Sequence, residues 1–219
     1  MLICPAKRIV YIAPPKTGTT AVEFLLKRPP FKARLQPGST TRHDAGWEER
    51  FRDWFIFMTT RHPYTRAVSH WRYVQRQIQH KQKNTAWGRR NPACTFWTRA
   101  YGGKMPTFAE FWDIFPHKSD QVAGWRASWH LEQIPRPIDK IVYQERLNAD
   151  LTSIPAFRNC RLTYEHVDTA PNKQPWHTYY TPELVARVID HWGQDFETFG
   201  YTMDFNACIR GEFWTSSSI

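Results

Sequence analysis

Ile9-Val10-Tyr11-Ile12-Ala13-Pro14-Pro15-Lys16-Thr17-Gly18-Thr19-Thr20 is the stretch around which the chain is organised. Its first four residues are apolar without alternation, the pattern of a strand buried on both faces, as in a parallel sheet. Ala21, Val22, Phe24, Leu25 and Leu26 then follow a helical pattern that ends at Pro29-Pro30. The loop therefore joins a strand's end to a helix's start. Backbone N–H groups and the positive end of a helix dipole favour an anion at such a place. Gly18 lets the backbone approach closely, and Lys16 adds a mobile positive charge. An ordinary strand–helix turn has the same outline, so the loop alone leaves both readings open. The residue order excludes the nucleoside-triphosphatase loop, G-x-x-x-x-G-K-[ST], because Lys16 comes two positions before the glycine.

The chain has 219 residues, enough for one domain with a sizeable core, and a single domain over 1–219 is expected. No apolar stretch approaches the roughly 20 residues that span a membrane, and no signal-peptide core precedes the loop. A soluble, cytoplasmic protein is the expectation. The cysteines, Cys4, Cys94, Cys160 and Cys208, lie far apart, without a CxxC pair or zinc-type His/Cys spacing, so free thiols and no metal centre are expected. The net charge of +10 is concentrated: residues 61–105 hold ten Lys/Arg and no Asp or Glu, and the rest of the chain is balanced. Such a segment suits a solvated basic face or an anion site, with nucleic acid as one candidate.

Trp54-Phe55-Ile56-Phe57-Met58-Thr59-Thr60 is a second buried-strand pattern, running into Arg61-His62-Pro63. Ala67, Trp71, Val74 and Ile78 recur at helical spacing and predict a long helix with Pro63 in its first turn. Residues 31–35 suggest a short strand, 36–39 a turn, 40–44 a loop carrying His43, and 47–52 a short helix. Residues 83–105 show no period and contain Gly88, Pro92, Gly102 and Gly103, the marks of a functional or mobile stretch. Helices are predicted over 107–114, where Thr107 and Glu110 are spaced as a capping box, over 121–131 and over 147–154. Lys140-Ile141-Val142-Tyr143 is a third strand pattern. Thr181-Pro182-Glu183 opens a helix with Leu184, Val185, Val188, Ile189 and Trp192 on its apolar face. Strands alternating with helices indicate an α/β fold with a central parallel sheet. Ligands then belong at the carboxyl ends of the strands, where Lys16 and Arg61 are expected.

Pro15-Lys16-Thr17-Gly18-Thr19-Thr20 resembles the 5′-phosphosulfate loop of sulfotransferases, which take 3′-phosphoadenosine 5′-phosphosulfate as sulfuryl donor. Arg61-His62-Pro63-Tyr64-Thr65-Arg66-Ala67-Val68-Ser69 fits R-x-P-x-x-R-x-x-S. A guanidinium at a strand end and a hydroxyl two turns into a helix can converge on one phosphate. For Arg61 the alternative is a paired carboxylate. The motif resembles the 3′-phosphate site of these enzymes, particularly the carbohydrate sulfotransferases and their bacterial relatives. Residues 141–151 resemble the family segment in which a strand runs into E-x-L and then D. Residues 179–184 and 195–201 resemble its C-terminal helix and D-F-x-x-F-G-Y ending. The resemblance implies a three-layer P-loop-like fold, with Pro15, Lys16, Thr17, Gly18, Thr19 and Thr20 at the 5′-phosphosulfate and Arg61 and Ser69 at the 3′-phosphate. It also implies adenosine 3′,5′-bisphosphate as product and no metal. Residues 83–135 match the family poorly and would decide the acceptor.

Sulfuryl transfer requires an acceptor oxygen in line with the sulfur and the leaving phosphate oxygen, and it can rest on positioning and charge stabilisation. Lys16 is expected to stabilise the leaving oxygen. A neutral hydroxyl also needs a base near neutral pH, for which histidine is the default. Among the nine histidines the resemblance points to His43, because Arg42-His43-Asp44 resembles the K/R-H-x context of the family's catalytic base. His130 is the alternative. Trp87, Trp97, Trp125 and Trp129 suit the core, or an aromatic platform for a sugar or phenol. The expected partner is a small-molecule or glycan acceptor, anionic if the basic segment serves it, and nucleic acid is not expected. Two other readings compete. A nucleotide kinase of related topology would need the glycine–lysine order and a strand-end Asp for magnesium. A nucleic-acid-binding protein using residues 61–105 would leave the Lys16–Thr20 loop unexplained.

Overall fold

The computed structural model describes residues 1–37, 43, 47–118, 126–160 and 174–215. Among these the strands are β1 (Leu2–Cys4), β2 (Ile9–Ile12), β3 (Arg34–Leu35), β4 (Phe55–Thr60) and β5 (Lys140–Tyr143). The helices are α1 (Thr19–Lys27), α2 (Pro63–Gln82), α3 (Ala86–Arg90), α4 (Pro92–Ala100), α5 (Phe108–Lys118), α6 (Trp129–Glu132), α7 (Leu147–Ser153), α8 (Pro182–Phe199) and α9 (Phe205–Ile209). The chain forms two compact units, Met1–His62 with Arg126–Lys173 and Pro63–Trp125 with Gln174–Ile219.

The first unit is a five-stranded sheet in the order β3-β1-β2-β4-β5. β2, β4 and β5 are parallel, with Ile9 opposite Phe55 and Thr60 opposite Tyr143. β1 runs antiparallel to both β2 and β3, so the sheet is mixed where the sequence suggests a parallel one. The physical reason is the short connection. A single 3-10 turn, Pro5–Lys7, and Arg8 at φ 50° reverse the chain between β1 and β2. Parallel neighbours would need a crossover of about a dozen residues. All four residues of β2 are nearly inaccessible, as the unbroken apolar run implies.

On one face Leu2, Ile9, Tyr11, Phe57 and Val142 pack with Val22 and Leu26 of α1, Leu151 of α7, and Phe31, Ile154 and Phe157. Tyr11 stacks on Phe57 with centroids 4.8 Å apart, and Phe157 meets Phe31 at 4.7 Å and Phe57 at 5.5 Å. Each such side chain contributes about 1.5–3 kcal/mol on burial, so this cluster seats α1 and α7 on the sheet. Carboxylates fix the strand edges. Asp139 Oδ2 accepts from Ile56 N–H at 2.7 Å, and its own N–H returns a bond to Ile56 O at 2.8 Å, which sets β5 beside β4. Asp150 on α7 accepts from the N–H of Tyr143 at 2.8 Å.

In the second unit α2 buries Ala67, Trp71, Val74 and Ile78, the expected apolar face. It also buries Arg66 completely; its Nη1 lies 2.8 Å from Asp195 Oδ2 on α8, and the guanidinium sits 4.8 Å from the Trp192 ring centroid. Thr181 caps α8 by accepting from Leu184 N–H, Pro182 takes the first turn, and Gly200 ends the helix at φ 67°. Helical geometry breaks at Trp192 (φ −124°), beside Gly193, where backbone resistance is least. Residues 83–105 hold α3 and α4, which the missing period does not predict. Thr85 caps α3 and Asn91 caps α4, each through a backbone N–H, and Pro92 starts α4 instead of breaking the chain. A Cβ on Gly88 would come within 2.1 Å of the His80 carbonyl oxygen, so α3 lies directly on the backbone at the end of α2. The capping box forms as spaced: Thr107 N–H donates to Glu110 Oε2 at 2.7 Å and Glu110 N–H to Thr107 Oγ1 at 3.2 Å. Of the helix expected over 121–131, residues 121–125 lie outside the described residues, and of the rest only residues 129–131 are helical, as the start of α6. Most of the turn and loop expected over 36–44 also lies outside the described residues.

Candidate active site

Because β2, β4 and β5 are parallel, their carboxyl ends share one edge of the sheet, and Ala13, Arg61 and Gln144 leave from it. The loop after β2 holds Lys16 at φ 66° and Gly18 at φ 84°. Glycine accepts this conformation freely, and a Cβ at Gly18 would press on Gln144 Cγ at 3.1 Å. For Lys16 the same conformation is strained, on the order of 1–3 kcal/mol, and something must hold it. Thr17 does so. Its side chain is fully buried, and its hydroxyl donates to the Pro14 carbonyl at 2.7 Å. A hydroxyl has one hydrogen, so Thr59 Oγ1, 2.8 Å away, must donate to Thr17 Oγ1. By the same count Tyr11 OH, 2.8 Å from Thr59, donates to Thr59 Oγ1. A directed chain therefore runs Tyr11, Thr59, Thr17, Pro14, from β2 across β4 into the loop. It turns the Thr17 side chain inward, so Thr17 can face a ligand only through its backbone. Lys16 and Gly18 are half-buried, Pro15 and Thr19 are buried, and Thr20 is exposed. Gly18 is the N-cap of α1, and a glycine has no side chain with which to cap. The helix thus keeps its anion-favouring end.

Arg61 follows β4 and is half-buried. The next N–H, that of His62, donates to Glu145 Oε1 at 2.9 Å. Glu145, just past β5, thereby ties down the turn that carries Arg61. The His62 side chain is fully buried. Ser69 is half-buried on α2 and belongs to the second unit, whereas Lys16, Arg61, His43 and His130 all belong to the first.

His43 is half-buried, and its Nδ1 lies 2.5 Å from the Ala13 carbonyl oxygen. A carbonyl only accepts, so Nδ1 carries the hydrogen and the neutral ring has its lone pair at Nε2. That is the form able to take up a proton, and it is tied to the residue that opens the Lys16 loop. Arg42 and Asp44 lie outside the described residues. His130 on α6 is buried, and its Nε2 lies 3.2 Å from the His43 carbonyl oxygen. The two histidines proposed from sequence as alternative bases are therefore neighbours in the fold.

The basic segment is not one surface. Arg66 lies in the core, and Arg72 donates to Gln174 O and Tyr179 OH. Lys83, Arg89, Arg90, Arg99 and Lys104 are exposed. Trp97 is buried and Trp129 half-buried, but Trp87 is 54% exposed, with its Nε1–H on Gln77 Oε1; Trp125 lies outside the described residues. The cysteines are free, with Cys4, Cys94 and Cys208 buried. Among the described residues no group of three or more His, Cys, Asp or Glu could hold a metal ion, and no helix is long and apolar enough to cross a membrane.

Sequence reasoning singles out Lys16, Arg61 and His43 but not the side chains that hold them. Hydroxyls inside otherwise apolar strands, at Tyr11 and Thr59, are the signal that points to the chain behind Thr17. Glu145, read only as part of a family segment, turns out to accept from the Arg61 turn. Compared with models of protein families, residues 1–202 match the one described as the sulfotransferase family. No curated protein and no solved structure matches the chain.

Proposed function

We propose that this chain, which belongs to the sulfotransferase family, moves a sulfuryl group from 3′-phosphoadenosine 5′-phosphosulfate to a hydroxyl of a carbohydrate or other small molecule. The observation that carries the reading is the bond from His43 Nδ1 to the Ala13 carbonyl. It supports a base-competent imidazole beside the loop proposed to hold the donor.

The residues present suit that donor. The loop offers Lys16, a glycine N-cap and the start of α1, a set of cationic and N–H groups matched to a phosphosulfate. Pro15, Thr17, Thr19 and Thr20 complete this loop, with Thr17 contributing through its backbone. Arg61, held through its neighbour's bond to Glu145, is assigned the 3′-phosphate, and Ser69 joins it on the sequence motif. The donor, when bound, supplies an activated sulfur with a phosphate leaving group. His43 Nε2 takes the acceptor's proton as the acceptor oxygen bonds to sulfur. The Lys16 ammonium offsets the charge that gathers on the phosphate oxygen as its bond to sulfur breaks. The exposed cations of α3 and α4 leave room for an anionic acceptor.

Arg61→Ala tests the donor assignment. It should weaken binding of adenosine 3′,5′-bisphosphate by about 1.5–3 kcal/mol in calorimetry, the scale of a hydrogen bond to a charged group. Affinity for adenosine 5′-phosphosulfate, which lacks the 3′-phosphate, should hardly change. Equal losses for both ligands would remove Arg61 from the 3′-phosphate.

A further inference from the structure

We infer that His130 is a positioning residue for His43, holding its main chain so that its ring presents Nε2; this rests on the reading of His43 as the base. Three observations combine. The His43 carbonyl can only accept, so the contact with His130 Nε2 at 3.2 Å makes Nε2 of His130 the nitrogen that carries hydrogen. His130 is only 3% exposed, so its ring is not open to an incoming acceptor. His43 is gripped twice, in opposite senses. Its ring donates to Ala13, and its own carbonyl receives from His130.

The two grips do different work. The bond to Ala13 selects the tautomer, but it constrains the ring only if the backbone beneath it is fixed. His130 supplies that fixed point from a rigid support. α6 starts from the buried Ala127 and Ser128, whose carbonyls accept from the N–H groups of His130 at 3.2 Å and Leu131 at 2.9 Å. Ile134, also buried, closes the far side through its N–H to Leu131 O at 3.0 Å. A base must sit within hydrogen-bond reach of the proton it removes, and small displacements of a catalytic group are costly to rate. A histidine far away in sequence thus acts through the backbone of the base.

The test reads the His43 ring itself and needs no acceptor. Long-range proton–nitrogen NMR spectra of protein labelled with 15N-histidine distinguish the Nδ1–H, Nε2–H and charged rings. His43 is assigned by its absence from the spectrum of His43→Ala, and spectra are taken where the histidines are neutral. Wild type should show His43 as the Nδ1–H tautomer. His130→Leu should lose that pattern, while its affinity for adenosine 3′,5′-bisphosphate stays near wild type. His130→Gln should keep the Nδ1–H pattern, because its amide can donate from nearly the same place. Retention of the Nδ1–H pattern in folded His130→Leu would overturn the inference. So would its loss in His130→Gln. If His130→Leu does not fold, His130→Phe, which keeps the ring's shape without an N–H, takes its place and should lose the pattern. A wild-type His43 found as the Nε2–H tautomer would instead overturn the base assignment, a separate failure.

Discussion

His43→Ala is expected to lower kcat by about 10²–10⁴, the range for removal of a general base, and to leave affinity for adenosine 3′,5′-bisphosphate nearly unchanged. The split follows from the geometry. The Nδ1–H of the ring donates to the Ala13 carbonyl, which in the neutral ring leaves Nε2 as the nitrogen that accepts a proton. A base that works on the acceptor's proton acts in turnover, so its loss should appear in kcat and not in donor binding. The pH profile gives an independent reading. Only the neutral ring accepts a proton, so wild-type kcat/KM should fall on the acid side as the ring is protonated, and the variant should lack that limb. Full activity in His43→Ala would place the base elsewhere.

The second large effect concerns stability. Asp195→Ala should destabilise the protein by about 3–5 kcal/mol in urea unfolding, because it leaves the Arg66 guanidinium buried without its counter-charge. Both side chains are essentially inaccessible, at 0% and 2%, so water cannot take over the role of the carboxylate. Set against a whole-domain stability of about 5–15 kcal/mol, the loss should also reduce soluble yield. Replacing the pair together, Arg66→Met with Asp195→Leu, should cost much less, since no charge is then stranded. A loss of less than about 1 kcal/mol in Asp195→Ala would mean that the pair behaves like a solvated one.

Sequence and fold agree where a signal is both local and strong. The unbroken apolar runs of β2 and β4, the Thr181-Pro182 start of α8 and the Thr107/Glu110 box each specify their own structure within a few residues. They disagree where the deciding contact is distant. β1 is too short for a strand pattern, and it forms because Leu2, Ile3 and Cys4 pair with Tyr11, Val10 and Ile9 across a tight turn. α3 and α4 are short helices whose caps, Thr85 and Asn91, carry the signal that their apolar spacing does not. The R-x-P-x-x-R-x-x-S motif mixes roles that spacing cannot separate. Its first arginine sits half-buried at a strand end and its second is a core ion pair. Lys16 and Gly18 are legible from residue order, but the hydroxyl chain that sustains the Lys16 conformation depends on the register between β2 and β4.

The most direct test of the central claim is a thermal-shift comparison of adenosine 3′,5′-bisphosphate, ATP with magnesium, and single-stranded DNA on the wild-type protein. A ligand that binds the folded state raises the melting temperature according to its affinity and concentration. A 3′-phosphoadenosine site predicts a clear rise with adenosine 3′,5′-bisphosphate, and little or none with the other two at equal concentration. A rise with ATP and magnesium alone would contradict the account and turn the loop after β2 into a kinase-type site.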